Sequence, residues 1–519
     1  MESTTVNTHA VGRAAGARTG SWHVSLPLLA GLLTFLYGVS RGTALLADGD
    51  TYWHVAAGRW ILEHGAVPTQ DPFSHTRLGA PWTAHEWLSE VLLELAHAAG
   101  GWELVAALTA LAFALSISIL GRALLRSLEP IHVVAAMTLA VLMTAGHLVA
   151  RPHILAMPLL VAWAAELVRA RDRDAAPPFW LLPLMTLWAN MHGGFTLGIG
   201  LAVAFAAEAV LAAARHGRVA AAARTWGLFV ALAVVASLLT PHGPQGLLFT
   251  WQIMFEDSFM LGRIGEWRSP DFHRFQPLEV WLLGIMALAM HQGVKLPLAR
   301  LVLLLGFTHL ALKHVRNVEL LGLLAPLFLA APLAQHFHAR GAGRKQFAGG
   351  DRLLGALTRG AAPGGLLLVL LLGGLATTSI WSATGPLVPP EQIAPQRAAK
   401  AARDAGAAGP VLNDYGWGGY LIYAGVPPFI DGRADMYRDG FVKEYAEAMD
   451  LATPTSLPRL LDRYQIGWTL LPPNRPATAM LDRLPGWRRV HADEHAVVHV
   501  KTSGAPGDAI AAAPARALP

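Results

Sequence analysis

The chain has no cysteine among its 519 residues. That excludes disulfides, thiol nucleophiles and thiolate metal sites. Charge is scarce as well: 14% of residues are charged against 54% hydrophobic, and mean hydropathy is +0.40. This balance excludes an ordinary soluble domain and points to a polytopic membrane protein. A basic patch with interleaved aromatics is missing, so nucleic acid is not an expected partner. No internal repeat marks a transporter built from inverted halves. The first apolar stretch lacks a convincing cleavage site and reads as a retained span.

Apolar runs of spanning length recur near 24–46, 102–125, 133–150, 154–168, 179–190, 195–213, 226–240, 278–291, 296–312, 318–333 and 364–381. They predict an α-helical polytopic bundle of about eleven spans. Alternate junctions carry the basic residues: Arg122 and Arg126; Arg169, Arg171 and Arg173; Arg215, Arg218 and Arg224; Lys295 and Arg300; Arg340, Arg344, Lys345 and Arg352. The tail with Arg13 and Arg18 joins that side, which the positive-inside tendency makes cytoplasmic. The N-terminus is then inside. The 47–100 loop, the 249–277 loop and the C-terminus are outside.

The expected organisation is a cytoplasmic tail (1–23), a membrane domain (24–381) with its outer loop at 47–100, an outer domain (382–502) and a disordered tail (503–519). In the outer domain, helical patterns at 391–405, 456–464 and 477–484 alternate with strand-like runs at 410–412, 428–430, 468–471 and 496–500. That alternation predicts a small α/β domain.

The first outer loop is the densest polar and aromatic stretch of the chain. Asp48, Asp50, His54, Asp71, His85 and Glu86 are interleaved with Trp53, Trp60, Trp82 and Trp87. A helix capped by Asp50 is expected there, with Trp53, Ala57, Trp60 and Ile61 as an apolar stripe lying in the membrane interface. A second helix starts near His85. On it Glu86 is read as functional, whereas Glu90 and Glu94 are read as a solvated face. Other outer junctions supply Arg151 and His153, Asn190 and His192, Glu266, and Lys313 and Arg316. Outer carboxylates also include Glu256, Asp257 and Asp271. Ionisable groups at membrane depth are costly and usually functional.

Chemical roles follow from residue type. A first-loop carboxylate can take a proton from an acceptor hydroxyl, or hold a divalent cation such as Mg or Mn with a second carboxylate. Arg and Lys at the outer ends can hold a lipid-linked phosphate. Tryptophan faces suit sugar rings. The expected catalytic residues are Asp48, Asp50 and Glu86, with Asp48 and Asp50 as the alternative metal ligands. Trp53, His54, His85, Arg151, His153, Asn190, His192, Glu266, Lys313 and Arg316 are the expected substrate-binding residues.

The layout resembles the GT-C superfamily of integral-membrane glycosyltransferases, which use polyprenyl-phosphate or polyprenyl-diphosphate sugars. The segments DGDTYWHVAAGRWILEHGAVPTQDPFSHT, HEWLSE, NMHGG and IDGRADMY are similar to bacterial membrane proteins of this type. The resemblance implies that an acidic residue of the first outer loop is base or metal ligand, a role that passes to Asp48 or Asp50, with Glu86 second. It also implies an inverting hexosyl- or pentosyltransferase on the outer face of a bacterial inner membrane. Its donor is a polyprenyl-phosphate sugar and its acceptor a lipid, glycan or protein. NDYGWGGY at 413–420 lacks the paired tryptophans of the oligosaccharyltransferase motif it faintly resembles, so recognition of a glycosylation sequon is not implied. IDGRADMY at 430–437 reads as a salt-bridged turn first, and as an acceptor-binding or closing segment second. The rival functions are a flippase or transporter of lipid-linked glycans and a non-catalytic assembly protein.

Overall fold

The structure, a computed structural model, describes residues 22–255, 265–339 and 350–502. Glu256, Asp257, Arg13, Arg18, Arg340, Arg344, Lys345 and the 503–519 tail lie outside the described residues. The membrane part comprises α1 (Leu26–Ser40), α2 (Asp50–His64), α3 (Trp87–Leu124), α4 (Pro130–Thr144), α5 (Pro152–Asp172), α6 (Leu181–Met191) and α7 (Phe195–Ala214). It continues with α8 (Val219–Ser237), α9 (Pro244–Phe255), α10 (Pro277–Gln292), α11 (Leu298–Lys313), α12 (Val318–Ala339), α13 (Gly350–Leu357) and α14 (Pro363–Thr384). Each stretch expected to span overlaps one of these helices. Among the described residues, seven helices are long and apolar enough to cross a membrane; α1 and α6 are shorter apolar helices. The chain is a multi-pass membrane protein.

Helix boundaries have local causes. Proline opens α4, α5, α10 and α14, where its missing N–H costs nothing. α3 is longer than its expected span because it absorbs the Glu86–Glu94 segment. It breaks at Gly100 and Gly101, and Gly101 takes φ +64°, a left-handed conformation that favours glycine. The part before the break packs on α2, and the part after it joins α1 and α5 in the bundle core.

The C-terminal region holds α15 (Gln396–Asp404), β1 (Val411–Asn413), α16 (Gly418–Tyr423), α17 (Asp439–Met449), α18 (Ser456–Arg463), β2 (Trp468–Leu471), α19 (Pro476–Leu481), β3 (Trp487–Ala492) and β4 (Val497–Lys501). One sheet has the order β1-β2-β4-β3, parallel between β1 and β2 and antiparallel elsewhere. β2 is buried along its whole length, as a central apolar strand should be. β3 is a half-exposed edge with three polar or charged side chains among its six residues, which hides it from a hydrophobicity reading.

The strand expected at 428–430 does not form. The Asn413 side chain takes its pairing instead: Asn413 Nδ2 donates to the Ile430 carbonyl and its Oδ1 accepts from Phe429 N–H, both at 2.8 Å. Three first-loop expectations also change. Asp50 is the first residue of α2 rather than its cap; Gly49 holds the cap position and Asp48 Oδ1 accepts the Asp50 N–H at 2.8 Å. α2 does not lie in the interface on one stripe, because Thr51–Gly58 are buried all round. Glu90 and Glu94 are buried, not solvated, since α2 covers that face of α3.

What covers α2 is the C-terminal region. Trp53, Ala57 and Trp82 share one hydrophobic cluster with Phe429, Ile430 and Tyr445, and Tyr52 sits in another with Trp417 and Leu470. Glycine permits the contact: a Cβ on Gly419 would strike the Gly49 carbonyl. The docking is fixed by Arg433. Its fully buried guanidinium meets Asp431 twice (Nε–Oδ1 2.9 Å and Nη2–Oδ2 2.7 Å) and Asp71 once, at 2.7 Å, between the rings of Phe73 and Trp82. The salt-bridged-turn reading of IDGRADMY holds for Asp431 and Arg433.

Candidate functional site

The turn before α2, the N-terminus of α5 and the 265–267 turn converge on Arg151. Its guanidinium contacts Asp48 Oδ1 at 3.0 Å through Nε and Glu266 Oε2 at 3.0 Å through Nη1, and Nη2 meets Asp50 Oδ2. Glu266 Oε1 also accepts from Arg316 Nη1 at 3.1 Å, and Arg316 lies over the Trp267 ring at 4.8 Å. Three carboxylates therefore face two guanidiniums. Asp50 is held further by Trp53, whose Nε1 donates to Oδ1 at 3.0 Å. Among the described residues none hydrogen-bonds Asp48 Oδ2.

Burial raises the Asp48 carboxyl above the ordinary aspartate value, against the pull of Arg151 and with help from the charge of Glu266. For Glu266 burial acts the same way, but Arg151 and Arg316 outweigh it and hold its carboxyl low.

A second group adjoins the first through the neighbouring pair Trp53 and His54, whose rings lie 3.6 Å apart. Glu86 stands at the start of α3, with His192 Nε2 at 3.4 Å, His85 Nε2 at 3.7 Å and His54 Nε2 at 3.9 Å. His54 Nδ1 is 3.5 Å from Glu90 Oε1. The His153 ring lies 6.2 Å from that of His192. Burial holds these imidazoles neutral: His85 falls to about 4 and His192 to about 3, while His54 lies well below its ordinary value. Burial, with the charge of Glu90, raises Glu86 well above the ordinary glutamate value.

Two expected binding residues are not in this contact network. Asn190 accepts from Trp87 Nε1 at 2.8 Å and donates to the carbonyls of Thr186 and Leu239, so its hydrogen bonds tie helices together. Lys313 is exposed at the end of α11. Asp48 and Asp50, the expected metal ligands, both lie on Arg151, and no group of three or more His, Asp or Glu among the described residues is disposed to hold a metal ion.

The C-terminal region supplies residues that a reading of the first loop misses. A Cβ at Gly432 would collide with the Asp50 carboxylate, so the Asp431–Arg433 turn closes directly on the site. Asp435, in the same segment, keeps contact with solvent while protein encloses it at longer range; that enclosure raises its carboxyl to about 6. Its charge is felt at Glu86. Tyr415, whose hydroxyl donates to the Gly432 carbonyl at 3.4 Å, feels Arg151 and Glu266. The IDGRADMY motif was the available signal for Gly432 and Asp435; Tyr415 had none beyond its place in NDYGWGGY.

Beside Glu86 an open apolar cleft of about 730 Å³ runs along the flank of the bundle. Trp87, Leu88, Leu187, Leu238 and Pro241 line it, together with Asn190, one of the expected binding residues.

No protein-family model and no curated protein matches the sequence. Solved structures do match. The oligosaccharyltransferase AglB from Archaeoglobus fulgidus, in complex with an inhibitory peptide and a dolichol-phosphate, aligns with a TM-score of 0.55 at 12% identity, over 86% of this chain and 69% of its own. The apo oligosaccharyltransferase from the same organism gives 0.52 at 11% identity, over 85% and 69%. The mycobacterial arabinofuranosyltransferase AftD gives 0.51 at 16% identity, over 94% of this chain and 40% of AftD. The chain thus shares its overall fold with these solved structures, an oligosaccharyltransferase and an arabinofuranosyltransferase.

Proposed function

We propose that the chain is a glycosyltransferase that moves a hexose or pentose from a polyprenyl-phosphate donor to a hydroxyl of a lipid, glycan or protein acceptor, on the outer face of a bacterial inner membrane. The observation that carries this reading is Asp48. It is a carboxylate with raised proton affinity and one uncommitted oxygen, held on the Arg151 guanidinium, which also binds the Glu266 that Arg316 holds.

In this reading Asp48 accepts the proton of the acceptor hydroxyl as that oxygen attacks the anomeric carbon. The bond from that carbon to the phosphate oxygen breaks with inversion, and polyprenyl phosphate leaves. Arg316 and Arg151 meet the charge that develops on the phosphate, which is where fixed positive charge lowers a barrier most. The cleft beside Trp87 takes the prenyl chain. Asp50 holds Arg151 and Trp53 in place, and Trp53 and Trp82 shape the wall. Arg151 supplies the charge compensation that a divalent cation would otherwise bring, so no step is assigned to a metal.

The test is turnover of a polyprenyl-phosphate sugar by purified full-length protein. Asp48→Asn is expected to lower turnover by about 10²–10⁴-fold while the protein stays folded, as loss of a positioned base does. Near-normal turnover in both Asp48→Asn and Asp50→Asn would remove the catalytic reading. Movement of an intact lipid-linked glycan across vesicles, with no new glycosidic bond, would move the assignment to a flippase.

A further inference from the structure

The end of the bundle away from this site carries its own charged cavity. α5 begins at Pro152, beside Arg151, and its 21 residues span roughly 30 Å, the thickness of a bilayer core. Its far end, with the ends of α3 and the middle of α12, encloses a half-open cavity of about 210 Å³. Arg126, Ser127, Arg169, Asp172 and Arg173 form the polar wall; Leu124, Val168 and Leu327 form the floor.

The charges are arranged rather than scattered. Glu166, nearly buried, accepts from Arg126 Nη2 through one oxygen and from Arg169 Nη1 through the other, both at 2.9 Å. A single carboxylate thus fixes two guanidiniums side by side, with most of their N–H donors still uncommitted. Asp172 does not neutralise them, because Arg300, itself 2% exposed, takes it at 2.5 Å. Arg173 adds a further positive charge at the wall. The cavity therefore has net positive charge, forked donors and a hydroxyl above an apolar floor. Paired guanidiniums match phosphate oxygens in geometry and charge.

We propose that this cavity binds a phosphate group, that of an anionic phospholipid in the leaflet opposite the catalytic site. The apolar floor and the depth of the cavity, one bilayer core away from Arg151, favour a lipid headgroup over free phosphate. This assignment is independent of the glycosyltransferase reading, because none of its residues belongs to that site.

The experiment is native mass spectrometry of the full-length protein in detergent, titrated with dioleoyl phosphatidylglycerol, with phosphatidylcholine, or with inorganic phosphate. Wild type is expected to retain one phosphatidylglycerol in preference to phosphatidylcholine. Arg126→Gln/Arg169→Gln is expected to abolish that preference, and Arg173→Gln to weaken binding roughly tenfold, the value of one charge-assisted contact. The double variant leaves Glu166 unpaired; if it does not accumulate, Arg173→Gln alone decides. Displacement of phosphatidylglycerol by millimolar inorganic phosphate supports the phosphate site and assigns it to a soluble source. Equal retention of phosphatidylcholine, or phosphatidylglycerol binding unchanged in the variants, overturns the proposal.

Discussion

Arg151→Gln is the sharpest test of how the site is balanced. In the wild type one guanidinium touches Asp48, Asp50 and Glu266, and the second cation, Arg316, reaches only Glu266. Removing Arg151 leaves two carboxylates with no cation in contact and a third sharing Arg316. Its side chain is 17% accessible, so water relieves only part of the repulsion. Breaking such a mostly buried pair costs about 3–5 kcal/mol, and the lower end is expected here because the carboxylates can protonate. That protonation sets the pH dependence. In the variant the carboxylates bind protons more readily when folded than when unfolded. The folded state is then favoured below their unfolded values near 4 and loses stability as pH rises through the elevated folded values. The deficit against wild type should be largest at pH 7–8 and shrink toward pH 5. Asp48→Asn makes the contrast, because Arg151 keeps two carboxylate partners and stability should change by less than about 1 kcal/mol while turnover falls. Thermal unfolding of both variants in detergent at pH 5 and pH 8, read beside sugar transfer, measures both effects. An Arg151→Gln protein as stable as wild type at pH 8, or a deficit that does not vary with pH, would refute the reasoning.

Three further outcomes are expected. Gly432→Ala should cut turnover with little loss of membrane-inserted protein, because its Cβ displaces the Asp50 carboxylate; wild-type rates would show that the turn yields freely. Arg433→Ala should cost about 3–5 kcal/mol, since Asp71 and Asp431 are left buried and unpaired, and limited proteolysis should then release the C-terminal region from the first loop; an unchanged cleavage pattern would contradict the role given to Arg433. Glu86 has its folded proton affinity raised, so its contribution is full below the unfolded value near 4.5 and is lost as pH rises. Glu86→Gln should therefore raise thermal stability at pH 8 and leave it unchanged near pH 4, and equal effects at the two pH values would contradict this.

The sequence by itself determined where the helical stretches lie and which charged residues are candidates for a site. Long apolar runs have nowhere to go but a bilayer, and their backbones must then close their own hydrogen bonds, so the helical stretches, though not their ends, could be read from the sequence. The cost of placing Asp48, Asp50, Glu86 and Arg151 at span ends was equally visible. Partnership was not. Arg151 lies about a hundred residues beyond the two aspartates it binds, and nothing local distinguishes it from Arg316 or Lys313. Glu90 and Glu94 have the spacing of a solvated face and are buried because α2 packs over them. The 428–430 segment has strand composition, yet one distant side chain, Asn413, takes its hydrogen bonds. Asn190, read as a binding residue from its neighbours in sequence, braces helices through its hydrogen bonds and also lines the cleft beside Trp87. Local chemistry decides what a segment is. Which charges meet, and which surface is left open to a substrate, depends on contacts between segments far apart in the chain, and those exist only once the tertiary structure has formed.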